Sequence, residues 1–194
     1  MILQVVKYGH PVLRKKGERI KEITPEITQL IADMLETMKA EHGVGLAAQQ
    51  IGQALQLTVL DVRGVTDRPS TMEVDGQPVD METAMPLVLI NPQLKLSGAN
   101  KTGPEGCLSF PEIYADITRP ETVDVVCLNE KGERKEFRCG GLLGRAVQHE
   151  VDHLNGILFI DRMERGTKEE LRAELDELHT ATKALLAKAK KSAA

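Results

Sequence analysis

The stretch Gln148-His149-Glu150-Val151-Asp152-His153-Leu154-Asn155-Gly156 is the one around which the rest of the chain is organised. It contains the pattern H-E-x-x-H, whose chemistry is geometric. Residues four apart in an α-helix lie one turn above each other on one face. His149 and His153 can therefore present two imidazole nitrogens to one metal ion, and Glu150 can reach a water held there without ligating the ion itself. Two histidines and an adjacent carboxylate suffice to generate hydroxide near neutral pH and to move its proton. The flanks suit a helix inside a core: Gly140 and Gly141 precede a run in which Leu142, Leu143, Ala146, Val147, Val151 and Leu154 are spaced for burial. The plain alternative is a charged helix with two histidines of no special role, and the context must arbitrate.

The whole chain narrows the field. Its 194 residues suit one domain with a full core. Aromatics are 3% of the residues and Trp is absent, so the core must rest on aliphatic side chains and Met. A formal net charge of -4, with clustered lysines only at the extreme C-terminus, argues against DNA as a partner. No run approaches the ~20 apolar residues of a membrane span. Lys7, Arg14, Lys15 and Lys16 break up the first twenty residues, so no signal peptide is read there. A cytoplasmic location follows as the expectation. In that reducing compartment Cys107, Cys127 and Cys139 are read as thiols or metal ligands rather than disulfides.

In chain order, the first 23 residues read as an extended arm with turns at Gly9 to Pro11 and near Gly17; His10 is taken as a turn residue. Thr24, Pro25 and Glu26 signal a helix start. Ile27, Leu30, Ile31, Met34, Leu35 and Met38 give it one apolar face, and Gly43 is the expected stop. Gly43 to Gly52 is crowded with small residues that let a backbone or ligand approach closely, and it carries two adjacent glutamines, Gln49 and Gln50. Leu55 to Val62 and Leu87 to Asn91 read as strands, with Gln93 to Ser97 continuing the sheet. Gly64 to Met85 reads as a polar surface loop with a small hairpin at Asp75-Gly76. A Gly-rich turn is expected before Glu105, then a hairpin of Thr122 to Leu128 with Arg134 to Arg138, to which the inert Cys127 and Cys139 belong. Ile157 to Ile160 reads as a last short strand and Thr167 to Lys191 as a helix, with His179 a solvated residue on it. The expected class is α+β, with antiparallel sheets packed around a central metal-binding helix and a helix at the C-terminus.

A catalytic metal needs a third protein ligand. In the metzincin pattern it would fall at position 159, which is Phe159, so that reading fails. Glu169, Glu170 and Glu174 could serve a gluzincin-like site, but they lie on a charged helix that a solvated face explains better. Cys107, in a Gly-flanked turn between strands, is the other candidate.

Three stretches together resemble the peptide deformylase family: Gly43 to Gln50 matches G-x-G-L-A-A-x-Q, Glu105 to Ser109 matches E-G-C-L-S, and His149 to His153 matches H-E-x-D-H. The run Pro11 to Arg14 and the strand Leu89 to Pro92 are also similar, so that the resemblance spans about residues 1 to 165. It implies that Cys107, His149 and His153 hold the metal and that Glu150 is the general acid/base. It also implies that Gln50 and the backbone N–H of Leu108 stabilise an oxyanion, while Gln49 inherits no role. Substrate would run beside Val44 and Gly45, with a methionine side chain in a pocket that includes Leu142 and Ala146. The implied metal is Fe²⁺, replaceable by Ni²⁺, Co²⁺ or Zn²⁺, with oxygen sensitivity at Cys107. Asp152 is read as supporting the site, with Arg119 as its partner. Tyr114 departs from the pattern, standing where some members carry a basic residue.

The implied activity is removal of the formyl group from N-formylmethionyl chains during N-terminal maturation. Rival readings are a zinc peptidase on the same helix, which would tolerate loss of Cys107, and a metal-binding relative without turnover. Residues 1–166 are expected to form the catalytic domain, with 167–194 a helical extension of it. A monomer is the default. A transient ribosome contact through Lys183, Lys188, Lys190 and Lys191 stands beside the plainer reading of a solubilising end.

Overall fold

The computed structural model describes residues 1–192. Its centre is the helix expected from H-E-x-x-H, α3 (Gly141–Leu154), in which every residue from Ala146 to Leu154 is buried. A helix apolar on one face and polar on the other usually lies on a surface. Here the polar face is buried too, because it faces the site. Around α3 curls one seven-stranded sheet, paired antiparallel throughout, in the order β1-β2-β5-β6-β7-β3-β4. Its strands are β1 (Gly45–Ala47), β2 (Leu57–Leu60), β3 (Ser70–Val74), β4 (Gln77–Pro78), β5 (Leu87–Cys107), β6 (Phe110–Leu128) and β7 (Arg134–Gly140). The α+β class is thus as expected.

Three apolar clusters divide the work. One joins α3 (Leu143, Val147, Leu154) to the concave sheet face (Leu60, Leu89, Val123). A second packs α1 (Pro25–Ala40) through Met34 and Met38 on Leu46, Leu57 and Ile90. A third gathers Leu13, Phe110, Ile117, Phe159 and Leu175 at the other end. Thr24 caps α1, accepting from Ile27 N at 3.3 Å. At its far end the left-handed residue is His42 (φ 56) rather than Gly43, and Gly43 N–H closes the turn on Met38 O at 2.9 Å. Gly43 is needed for a different reason: a Cβ there would lie 2.9 Å from Leu108 Cδ1.

Several local expectations are corrected. No Gly-rich turn breaks the chain before Glu105: β5 runs through to Cys107, absorbing its irregularity at Gly98 (φ 79), beside a register shift between Ser97 and Asn100. Phe159–Asp161 forms a 3-10 turn instead of a strand. The Asp161 side chain accepts from Leu158 N at 2.9 Å, and the apolar run faces the third cluster instead of a sheet edge. The terminal helix is two helices, α4 (Arg165–Glu170) and α5 (Arg172–Ser192). His179 is half-buried, its ring 5.2 Å from that of Tyr8. The polar segment 64–85 does carry its hairpin, turning at Asp75-Gly76, together with a short helix α2 (Met81–Ala84). It also does more: β3 joins the sheet against β7, and Pro69 O and Ser70 Oγ accept from Leu142 N and Leu143 N at 2.9 and 3.1 Å. The segment thereby satisfies two of the open N-terminal amides of α3. At the opposite end Gln56 Nε2 donates to Leu154 O at 2.9 Å. No helix is long and apolar enough to cross a membrane among the described residues.

Candidate active site and metal centre

The curl of the sheet brings the end of β5 against the buried polar face of α3. Cys107, His149 and His153 each offer one ligand atom, all within 4.8 Å of one another. Cys107 Sγ lies 3.3 Å from His153 Nε2, and His149 Nδ1 is bonded to Glu105 Oε2 at 2.9 Å, leaving its Nε2 free for a ligand. A thiol and two imidazoles suit a borderline divalent ion such as Fe²⁺ or Zn²⁺. An imidazole steadied by a carboxylate on its other nitrogen is the usual support for such a ligand. Glu150 Oε2 is buried and makes no hydrogen bond among the described residues, as befits a carboxylate reserved for a water or a reacting group. The residues present fit a divalent metal.

The electrostatics point the same way. Burial would raise the Glu105 carboxyl, but its bonds to His149 and Arg119 outweigh that and hold it well below the usual carboxylate range. Burial would lower the His149 imidazole, yet contacts with Cys107 and Glu105 drive it well above its ordinary value. That is a demand for positive charge at this spot, which a bound cation would meet with the imidazole neutral. His153 is pushed well below its ordinary value by burial and by the charge of its neighbours His149 and Arg119, so one of its nitrogens keeps a lone pair for ligation. Burial lifts the Glu150 carboxyl to about 7, a poise from which it can both accept and give a proton near neutrality.

A cleft of about 490 Å³ opens onto this cluster, lined among others by Val44, Gly45, Gln50, Cys107, Leu108, Leu142, Ala146, His149 and Glu150. His153 lies behind its wall, 1% exposed. Every site residue read from the sequence is thus gathered in or against one cavity. The two glutamines part company here. Gln50 Oε1 accepts from Ala47 N at 2.9 Å, which turns its Nε2 toward Ser109 Oγ and Cys107 Sγ at 3.4 and 3.5 Å. These are loose contacts that an oxyanion could displace. Gln49 is fully buried outside the cleft. Gly45 is small of necessity, since a Cβ there would lie 2.7 Å from Glu150 Cδ. Tyr114, 65% exposed, stands at the cleft rim. Cys127 and Cys139 are buried in the sheet, their thiols pushed up to about 11 and about 12 by burial, which leaves them unreactive.

What the sequence reading missed is the ionic web behind the ligands. Asp152 does meet Arg119, which donates to it through Nη1 at 2.9 Å. Arg119 also grips Glu105 through Nε at 2.5 Å and Nη2 at 3.0 Å. Arg145 donates to Glu105 Oε1 at 2.9 Å, and Arg162 holds both oxygens of Asp152 at 2.6 Å. Glu105 opens the E-G-C-L-S motif, and its place two residues before the cysteine was the available signal. Arg119 was read only as the partner of Asp152, and Arg145 and Arg162 had no signal, each being brought in from a different part of the chain.

The chain is similar to known proteins. The family model described as polypeptide deformylase matches residues 2–169. A peptide deformylase of Opitutus terrae is 43% identical over 186 residues, 95% of this chain and 96% of the relative. One of Methylacidiphilum infernorum is 44% identical over 178 residues, 92% and 93% of the two chains. Among solved structures, a peptide deformylase of Synechococcus elongatus in complex with actinonin superposes with a TM-score of 0.73 at 38% identity, covering 93% of this chain and 85% of that one. One of Legionella pneumophila gives 0.77 at 33% identity, covering 96% and 98%. With the family model running from the N-terminal arm to α4 and each of these relatives matched along most of its own length, the chain belongs to the polypeptide deformylase family.

Proposed function

We propose that this protein hydrolyses the formyl group from N-formylmethionyl chains, releasing formate and freeing the terminal amine in N-terminal maturation. The observation that carries the reading is the convergence of Cys107, His149 and His153 against one cleft that the buried Glu150 also lines. A metal held by those three side chains would supply Lewis acidity, lowering the pKa of a water and polarising the formyl oxygen; Fe²⁺ is the physiological choice we adopt, with Ni²⁺, Co²⁺ or Zn²⁺ able to substitute. Glu150 takes the proton of the attacking water and passes it to the departing amine nitrogen. Gln50 Nε2 and the Leu108 N–H donate to the formyl oxygen as negative charge grows on it. The substrate backbone adds to the outer edge of β1 beside Val44 and Gly45, and its methionine side chain enters between Leu142 and Ala146.

All these residues come from one chain, so a monomer suffices. Residues 1–166 form the catalytic unit in this reading and 167–194 its helical extension. The reading puts its action in the cytoplasm, where formylated chains emerge, and allows a transient ribosome contact through the exposed lysines at the end of α5. The test is formate release from a formyl-Met tripeptide by Ni²⁺-loaded wild type and Glu150→Gln. Wild type should turn over and the variant should lose at least about 100-fold in kcat while retaining metal. Equal activities, or no release by metal-loaded wild type, would overturn the reading.

A further inference from the structure

We infer that Lys7 is a positioning residue for the oxyanion donors, an inference that rests on the deformylase reading of the site. Leu108 and Ser109 form the two-residue turn that closes the β5–β6 hairpin, whose last paired residues are Cys107 and Phe110. Two-residue hairpin turns hold themselves in shape when one or both central residues adopt positive φ, which matches the twist of the strands. Neither Leu108 nor Ser109 is among the described residues with positive φ, and the register shifts just before the turn, between Gly106 and Cys107. The turn therefore lacks the backbone form that would make it rigid by itself, although a proposed metal ligand flanks it and a proposed oxyanion donor sits in it.

The missing constraint comes from the N-terminal arm. Lys7 Nζ reaches across to donate to Leu108 O at 2.8 Å, and Tyr8 N donates to Ser109 O at 2.9 Å. The two bonds fix the orientation of both peptide planes that follow Leu108 and Ser109, while strand pairing fixes Cys107 and Phe110. Val6 N donates to Gln50 O at 2.8 Å, so three consecutive arm residues anchor the backbone of both residues that carry the proposed oxyanion donors. The Tyr8 ring stacks on Phe110 with centroids 4.8 Å apart. Of the three pins, Lys7 alone acts through its side chain and can be removed without touching the backbone. It is half-buried, lines the cleft, and pairs with no carboxylate among the described residues. A charged donor held on a neutral carbonyl is a stronger anchor than an amide would be.

Ni²⁺-loaded wild type, Lys7→Met and Lys7→Arg are compared in formate release, metal content, thermal melting and hydrogen exchange at the amides of residues 108–110. Lys7→Met keeps the aliphatic stem and removes the donor. It should lower kcat about 10- to 100-fold, below the loss expected for deleting an oxyanion donor outright, with KM within about twofold and metal content and Tm unchanged. Exchange at the turn should quicken, and Lys7→Arg should restore kcat to within about threefold of wild type, since its guanidinium can still donate. An unchanged kcat in Lys7→Met overturns the inference. So does a raised KM at constant kcat, which would mark Lys7 as a substrate contact, or a loss that follows metal or Tm or that Arg fails to rescue. If metal-loaded wild type releases no formate, the deformylase reading fails instead, and the exchange comparison alone decides whether Lys7 pins the turn.

Discussion

At the scale of the residue, the site depends on charges that are buried only because they are paired. Arg119, 3% exposed, bridges Glu105 and Asp152, and a buried ion left without its partner is costly. Arg119→Met keeps the volume of the side chain and removes the charge. It should destabilise the fold by about 3 kcal/mol in urea titration. It should also weaken Ni²⁺ binding about 10- to 100-fold, because Glu105 would lose its two-pronged anchor and be left with Arg145 alone to hold it as it orients His149; equal stability and equal affinity would show the web to be ornamental. Gly45 tests the opposite quality, the absence of an atom. Gly45→Ala would drive a methyl to 2.7 Å from Glu150 Cδ, and a displaced acid/base group can cost about 100-fold in rate. The variant should bind metal as wild type does and fall by about that factor in kcat; unimpaired turnover would mean that Glu150 yields without cost.

At the scale of the element, α5 shows how far a helix belongs to the domain. Its first half is docked: Leu175 and Thr182 are buried and Leu178 half-buried against the third cluster. A Cβ on Gly9 would lie 2.8 Å from the His179 carbonyl oxygen, so the arm that carries Lys7 and Tyr8 lies close against this helix. Beyond Thr182 the burial thins: Leu186 is half-buried and Leu185 is 67% exposed. If residues 167–194 are an extension of the same folding unit, Leu175→Ala should cost about 2 to 3 kcal/mol in chemical denaturation with one cooperative transition. Leu185→Ala should stay within about 0.5 kcal/mol. Equal and negligible effects of the two substitutions would make α5 an appendage and leave the arm unsupported from that side.

At the scale of the whole molecule, what was legible in the sequence was what is local. The Thr24 cap, the apolar face of α1, the turn at Asp75-Gly76 and the burial of α3 follow from periods of a few residues. The pairing of His149 with His153 was legible because H-E-x-x-H writes helical geometry directly into spacing, whereas Cys107 was singled out only by the resemblance of three stretches to the family. The closing of the sheet was not, because β3 reaches β7 by pairing Met72 with Cys139. Nor was the bond from Lys7 to Leu108, 101 residues away, since no local pattern encodes which distant elements meet. The same division bears on metal dependence. The three apolar clusters and the strand pairing rest almost wholly on groups other than Cys107, His149 and His153, so the metal-free protein should remain folded. Metal should then act by mass action on a site already formed, adding about 2.7 kcal/mol at a free concentration of 100 Kd. For a chain of 194 residues that is a rise of about 5 to 10 °C in Tm. Chelated protein should keep its far-UV circular dichroism and melt cooperatively at the lower temperature, Ni²⁺ should restore the higher one, and Cys107→Ser should abolish most of the difference. Loss of cooperative melting on chelation would mean that the metal helps to build the core and does not merely occupy a finished site.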